Sequence, residues 1–180
     1  MFEELKTKLG SIDSALNEES LNLANQSGDG IEALKKSGNE FKYLLLEVRL
    51  KEGGNEFAKL FLRGFDYPMY AHPIIAEYFL RNEVTPSLTS NFKMPDRWPL
   101  KDKSFDQYER TVKSESEGLE LTIFAVGGGK FDLKNNGINL RGYSQAFGSI
   151  PRDYQERFKE LLQQLVQKPT YNGFQINFEK

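Results

Sequence analysis

The residues best suited to chemistry in this sequence are a glycine-bounded turn and a single histidine. The segment GYSQAFG, residues 142–148, carries a glycine at each end, where the backbone can turn sharply. We expect this turn to leave the backbone amides of Ser144 to Ala146 pointing at one spot. Converging amides of this kind form a cradle for an anion.

His72 is the only histidine, and it stands directly before Pro73. Apolar residues follow at helical spacing, and proline is favoured in a first helical turn because its missing N–H would be unpaired there. The sequence therefore predicts a helix that begins next to His72. The helix dipole disfavours an imidazolium at that end, so a neutral ring could act as a base or a nucleophile near pH 7. A structural helix cap or a partly buried surface histidine fits the same residues.

A strand, a glycine loop and a hairpin are predicted to lead into the glycine-bounded turn. The apolar run Leu119 to Val126 has strand length, and Gly127 to Gly129 are expected to end it. A hairpin then follows, with its turn at Asn135-Asn136-Gly137. The segment GGGK is not a nucleotide-binding loop, because the GxxxxGK[ST] spacing is missing and no helix follows the strand.

The remaining patterns predict the architecture around these features. Phe41–Lys51 and Phe57–Phe65 alternate as a hairpin, residues 154–168 carry one apolar helical stripe, and residues 173–180 alternate as a last strand. The element order favours an α/β (α+β) sandwich with a central mixed, largely antiparallel sheet and helices packed on it. No internal repeat is visible.

Two segments differ in composition from the rest of the chain. Residues 1–40 are predicted to form one amphipathic helix and a tether; a partly disordered tail and a partner-docking helix are the alternatives. Residues 84–118 form a charged, Pro-rich insertion that is either a lid or specificity loop, or a surface loop pinned by Phe92 and Trp98. Residues 41–180 are expected to be the single globular domain.

Composition excludes several classes of protein. The absence of cysteine removes disulfides, thiolate metal sites and cysteine nucleophiles, and a single histidine removes histidine-rich metal centres. A net charge of −2 over 180 residues does not indicate a nucleic-acid-binding protein. No apolar run approaches the ~20 residues that span a bilayer, and no targeting segment is recognisable. We therefore expect a cytoplasmic protein without a membrane contact, although a nuclear or organellar complex is compatible with the sequence.

Four segments in a fixed order resemble a known family. The segments FKYLLLEV (41–48), RGF (63–65), GGGK (127–130) and GYSQAFG (142–148) are similar to the pattern of the Janus/Ocnus family, whose known enzymes are the phosphohistidine phosphatases. The resemblance covers about residues 41–180. It implies a phosphohistidine phosphatase-like fold, with no metal and no cofactor.

The resemblance also implies a set of site residues. His72 matches the catalytic histidine, and the phosphate would be held by Lys42, Arg63, Lys130, Ser144 and Ala146. On the residues alone, Lys42 and Arg63 would be solvated strand charges. Lys130 stands where the family often has arginine, which gives a point charge rather than a fork.

One position departs from the family pattern. His72 lies one residue later than the catalytic histidine and is followed by Pro73 instead of a small residue. A one-residue insertion in the preceding loop would bring His72 onto the catalytic position; without it, Ala71 would stand there and the protein would be inactive. We favour the insertion, because His72 is the only histidine and stands at the predicted start of the same helix.

The sequence and the resemblance together indicate a metal-independent phosphatase, which we expect to be a monomer. It would hydrolyse the P–N bond of phosphohistidine, or of phospholysine, in protein substrates. The alternative is a catalytically inactive binding or structural subunit of a larger assembly, docked through residues 1–40.

Overall fold

The computed structural model describes residues 1–15, 41–66, 72–88, 108–113, 118–144 and 148–179. Six strands in these residues form one sheet, with five of them in the order β2-β1-β4-β5-β6 and β3 paired with β4. Only β5 and β6 are parallel neighbours; the other described pairs are antiparallel. The α+β class with a mixed, largely antiparallel sheet is confirmed. The strands are β1 (Phe41–Glu52), β2 (Asn55–Asp66), β3 (Tyr108–Lys113), β4 (Leu119–Asp132), β5 (Gly137–Arg141) and β6 (Gln175–Phe178).

Three α-helices cover the two faces of this sheet within the described residues. They are α1 (Phe2–Ser11), α2 (His72–Phe79) and α3 (Gln155–Val166). A π-helical turn, Leu80–Val84, continues α2. In the part of the chain that the structure describes, no helix has the length and apolar character needed to cross a membrane.

The first face, here called the α2 face, is covered by α1 and α2. Alternate β1 residues pack against both helices, because successive strand side chains point to opposite faces. Leu5 and Leu9 of α1 are fully buried in this core, which stabilises the fold by about 1.5–3 kcal/mol for each leucine. The boundary expected at residue 40 therefore does not separate α1 from the globular fold, and its apolar stripe is covered by the protein's own sheet. The β1 members of this core are Leu44, Leu46, Val48 and Leu50.

The second face, here called the α3 face, is covered by the amphipathic helix that the sequence predicts. Phe158 of α3 stacks on Tyr43 of β1, with ring centroids 5.6 Å apart. The helix buries one stripe against the sheet and leaves its other side in solvent, as its periodicity requires. The buried α3 residues are Phe158, Leu161, Leu162 and Leu165.

The glycines of β4 lie inside the strand and do not end it, contrary to the sequence prediction. β4 runs without interruption from Leu119 to Asp132. Its pairing with β1 shifts register beside Leu45 and Leu46, where Val126 is the extra residue of a β-bulge. The bulge bends the strand directly before Gly127. The predicted strand, loop and hairpin are thus two strands, β4 and β5.

The hairpin turn is at the predicted place but uses different residues for its positive φ angles. Asn135 and Asn136 have φ angles of 55° and 52°, whereas Gly137 is the first residue of β5. A two-residue turn with both central φ angles positive matches the twist of a hairpin, and asparagine tolerates that conformation. A further strand, β3, lies within the 84–118 insertion, where no strand was predicted. Phe92 and Trp98 lie outside the described residues.

A buried arginine holds α2, β2 and the N-terminal segment together. The Arg63 side chain is 1% exposed, and Nε donates to Glu83 Oε1 at 2.8 Å. Its two terminal nitrogens donate to Glu83 Oε2 and to four backbone carbonyl oxygens, those of Asp13, Ser14, Ala15 and Leu62. All five guanidinium N–H groups are therefore used within the fold.

Replacing Arg63 with alanine should destabilise the protein by about 3–5 kcal/mol, because the partly buried Glu83 carboxylate would lose this charge pair and four backbone carbonyl oxygens would lose a donor. The free energy of unfolding, measured by urea denaturation, checks this. Lys51→Ala is the control, since Lys51 and Glu56 form an exposed pair 3.6 Å apart, and such pairs contribute less than about 1 kcal/mol. Equal effects of the two substitutions would contradict the role given to Arg63.

Candidate active site

Bare backbone in β4 allows the His72 ring to lie against the sheet. A Cβ atom on Gly128 would stand 2.4 Å from the Tyr43 carbonyl oxygen and 3.1 Å from His72 Cδ2. The first distance is too short for a real side chain, and the second is tighter than most Cβ contacts, so the His72 ring would have to shift. Glycine is therefore required here by the close approach of the Tyr43 backbone.

The hydrogen bond of His72 fixes which ring nitrogen carries the proton. His72 begins α2, as predicted, and is 6% exposed. Its Nε2 lies 3.1 Å from the Gly129 carbonyl oxygen. A carbonyl oxygen can only accept, so Nε2 carries the hydrogen and Nδ1 of the neutral ring keeps its lone pair. Nδ1 is thus the atom that can take a proton or attack.

The surroundings of His72 favour its neutral form. Burial lowers the pKa of the ring, and the charges of Lys42 and Lys130 lower it further. Hydrogen bonds of the ring to the backbone of Gly129 and Tyr43 raise the pKa but do not reverse this effect. At neutral pH the ring is therefore uncharged and lies near two cations.

The two lysines are placed side by side by the strand register. Lys42 of β1 is the pairing partner of Lys130 of β4, and Lys130 in turn pairs with Arg141 of β5. Cross-strand partners point to the same face of a sheet, so all three side chains belong to the α2 face, where His72 lies. The structure thus brings Lys42, Lys130 and His72 together.

Arg141 extends this basic row, and sequence reasoning missed it. Its Nη1 donates to Asp132 Oδ2 at 2.9 Å and to Glu179 Oε2 at 3.4 Å. The signal was available, because counting outward from a two-residue turn at Asn135-Asn136 places Arg141 opposite Lys130.

The loop that carries Ser144 is hydrogen-bonded to the glycine segment of β4 that His72 also contacts. Gly142 and Gly148 have φ angles of 66° and 73°, so both predicted sharp turns are present. The Ser144 amide donates to the Gly128 carbonyl oxygen at 2.9 Å and to the Gly148 carbonyl oxygen at 3.1 Å. Ser144 and His72 therefore contact neighbouring carbonyl oxygens of β4, those of Gly128 and Gly129.

Two groups that were expected to contact the phosphate, the Ser144 amide and the Arg63 guanidinium, are bonded to other parts of the protein in the structure. The Ser144 amide is used within the loop, so it does not belong to an open cradle of amides. Arg63 has a structural role instead of the phosphate-binding role that the resemblance implies, because all its donors are bonded to the fold. Ala146 lies outside the described residues.

Comparisons of the chain with protein-family models, with curated proteins and with solved structures found no match. Within the described parts of the chain, no three His, Asp or Glu side chains converge in a way that could hold a metal ion.

Gly128→Ala should destabilise the protein by about 1–3 kcal/mol, the usual effect of an extra group in a filled space, and should displace the His72 ring. Urea denaturation and the NMR signals of the single histidine check the two effects. Gly10→Ala is the matched control, because a Cβ on Gly10 meets nothing within 4 Å. That helical substitution should leave the histidine signals unchanged and stabilise the protein by up to about 1 kcal/mol. Unchanged histidine signals in Gly128→Ala would contradict the proposed packing.

The pKa of His72 should lie below its ordinary value of about 6.5 and should rise in Lys42→Gln or Lys130→Gln, because each substitution removes a neighbouring positive charge. A pH titration of the His72 NMR signals measures this directly, since the chain has one histidine. Lys6→Gln serves as the control, because Lys6 is an exposed residue of α1 paired with Glu3. A normal pKa in the wild type would show that His72 is solvated.

Proposed function

We propose that this protein is a metal-independent phosphatase that hydrolyses the P–N bond of phosphohistidine, or of phospholysine, in proteins. The observation that carries the proposal is the state of His72. Its Nε2–H is fixed on the Gly129 carbonyl oxygen, its pKa is lowered, and two lysines lie on the same sheet face. A neutral imidazole beside two cations suits a dianionic phosphoryl group.

The lysines would supply the charge that phosphoryl transfer requires. The transition state of phosphoryl transfer is loose, so most of the catalytic effect comes from positioning and from neutralising the phosphoryl oxygens. Lys42 and Lys130 stand on neighbouring strands, which are rigid supports. Binding of the phosphoryl group would also offset the mutual repulsion of the two ammonium groups.

His72 Nδ1 would act in one of two ways. As a general base, it takes a proton from a water molecule that attacks phosphorus. As a nucleophile, it forms a new P–N bond, and water then cleaves the phosphoenzyme. In either case the substrate P–N bond breaks, its nitrogen leaves protonated, and the products are inorganic phosphate and the unmodified side chain. A phosphoramidate nitrogen is a good leaving group once it is protonated.

The resemblance to the Janus/Ocnus family supports the same proposal. Lys42, Lys130 and Ser144 stand in the segments that match the family pattern, and His72 lies beside them despite its one-residue offset. We therefore extend the proposal to a phosphohistidine phosphatase-like fold and to a one-residue insertion before His72. Ala146 is proposed as a phosphate contact with Ser144.

A catalytically inactive binding protein is the second candidate, and one observation favours it. The Arg63 guanidinium and the Ser144 amide are both fully engaged within the fold, so two expected phosphate contacts are missing. Such a protein would use the basic row to bind an anionic partner without chemistry. Docking through the apolar stripe of α1 would require α1 to leave the sheet, since Leu5 and Leu9 are buried.

The deciding experiment is phosphate release from a phosphohistidine peptide and from phosphoramidate, in the presence of EDTA. Wild-type activity should persist in EDTA, and His72→Gln should lower kcat/KM by about 10²- to 10⁴-fold, the usual contribution of a positioned acid or base. Ser144→Ala and Lys42→Gln should lower it less. Lys51→Gln, on the exposed end of β1, should leave it unchanged.

The pH profile adds an independent check. Because the neutral ring is the active form, kcat/KM should fall as the pH decreases through the pKa of His72, which lies below about 6.5. A mass increase of one phosphoryl group after rapid quenching at alkaline pH, absent in His72→Gln, would identify His72 as the nucleophile. A folded wild type that releases no phosphate would leave the binding protein as the better proposal.

A further inference from the structure

A cavity of about 340 Å³ lies on the α3 face, on the opposite side of the sheet from His72. Its volume falls at the lower end of the range of about 300–1,000 Å³ that is typical of small-molecule sites. The cavity is bounded by β1, by α3, by β6 and by the two ends of the Ser144 loop. The lining residues are Tyr43, Gly142, Ser149, Ile150, Gln155, Phe158, Lys159 and Phe178.

The floor of the cavity is apolar and its mouth is open to solvent. Tyr43, Ile150 and Phe158 are 6%, 9% and 4% exposed, so they form the floor. Phe178 is 56% exposed and stands at the mouth, with its ring centroid 6.4 Å from that of Phe158. The site thus offers aromatic surface at two depths.

One polar atom, the Tyr43 hydroxyl oxygen, belongs to this floor. The Tyr43 hydroxyl makes no hydrogen bond with any residue that the structure describes, and its oxygen is not among the fully buried atoms without a partner, so it is reached from the cavity that Tyr43 lines. Burial raises the pKa of Tyr43 to about 12, so the hydroxyl keeps its proton and remains a donor. Tyrosines that are mostly buried usually find a hydrogen-bond partner, and here a molecule in the cavity can supply it. The hydroxyl is therefore placed to donate to a ligand on the cavity floor.

We propose that this cavity binds a small, uncharged aromatic molecule whose hydroxyl or carbonyl oxygen accepts a hydrogen bond from Tyr43. An aromatic ring matches the Phe158 and Phe178 surfaces, because offset and edge-to-face ring pairs are favourable. An ionised group on the floor would lose its hydration without meeting a cation. Lys159 is at the mouth and is paired with Glu156 at 2.7 Å.

Such a ligand would contact both ends of the loop that carries Ser144. Gly142 and Ser149 line the cavity, and the Ser149 carbonyl oxygen lies 2.5 Å from the place of a Cβ on Gly127. The binding site is thus separate from His72 and is joined to it by one loop and one strand. The proposal does not depend on the activity proposed above.

The test is a titration of the full chain with 2-naphthol, naphthalene and 2-naphthoate, followed by two-dimensional NMR. 2-Naphthol should bind saturably and shift the signals of residues 142, 149–150, 155–159 and 178. Naphthalene should bind about five- to tenfold more weakly, because it lacks the hydrogen bond to Tyr43. 2-Naphthoate should bind more weakly than 2-naphthol because of its charge.

Two substitutions separate the ligand contact from a general effect on stability. Tyr43→Phe should reduce the affinity for 2-naphthol to that for naphthalene and leave naphthalene binding unchanged. Tyr143→Phe removes a hydroxyl from a side chain that is 65% exposed and does not line the cavity, so it should change neither affinity. The absence of saturable 2-naphthol binding would overturn the proposal. Equal affinity of Tyr43→Phe and wild type for 2-naphthol, or tighter binding of 2-naphthoate, would overturn it as well.

Discussion

Three consecutive glycines in β4 are the constraint on which the arrangement of this protein depends. A strand normally presents side chains to both faces of its sheet. Here Gly127 and Gly128, at adjacent positions, leave each face without a side chain. A Cβ on Gly127 would meet the Ser149 carbonyl oxygen on one face, and a Cβ on Gly128 would meet His72 on the other. The Ser144 loop and the His72 helix can therefore reach the same short stretch of backbone from different directions. Glycine weakens a strand interior, and the contacts on both faces offset that loss.

Most of the regular elements could be predicted from periodicity, and the exceptions have physical reasons. Glycine usually marks a turn, so the sequence indicated a loop at Gly127 to Gly129; only the groups packed over these residues show why glycine stands inside a strand. β3 escaped prediction because Tyr108–Lys113 is short and mostly polar. Its pairing with β4 defines it as a strand, and a single sequence does not contain that pairing.

The candidate site was predictable where local pattern decides the position of a side chain. His72 is at a helix start, and the helix start is visible in the sequence. Lys42 and Lys130 were expected from the resemblance, whereas their position side by side depends on the β1–β4 register. The role of Arg63 was not predictable, because the sequence cannot show whether the side chain of a strand arginine reaches solvent or a glutamate 20 residues away. The use of the Ser144 amide depends on a carbonyl oxygen of another strand, which is again a tertiary contact.

The contacts of residues 13–15 have a consequence for the order in which contacts can form while the protein is synthesised. Asp13 pairs with Lys168, which is 155 residues later in the chain, and the Ser14 carbonyl oxygen accepts from the Leu62 amide at 2.7 Å. At a synthesis rate of about 5–20 residues per second, roughly 8–30 s separate the two ends of the first pair. Most of the core that covers α1 comes from β1, β2 and α2, which are made well before Lys168. Helix α1 can therefore dock on the sheet first, and the pair between Asp13 and Lys168 closes only when the end of the chain has been made.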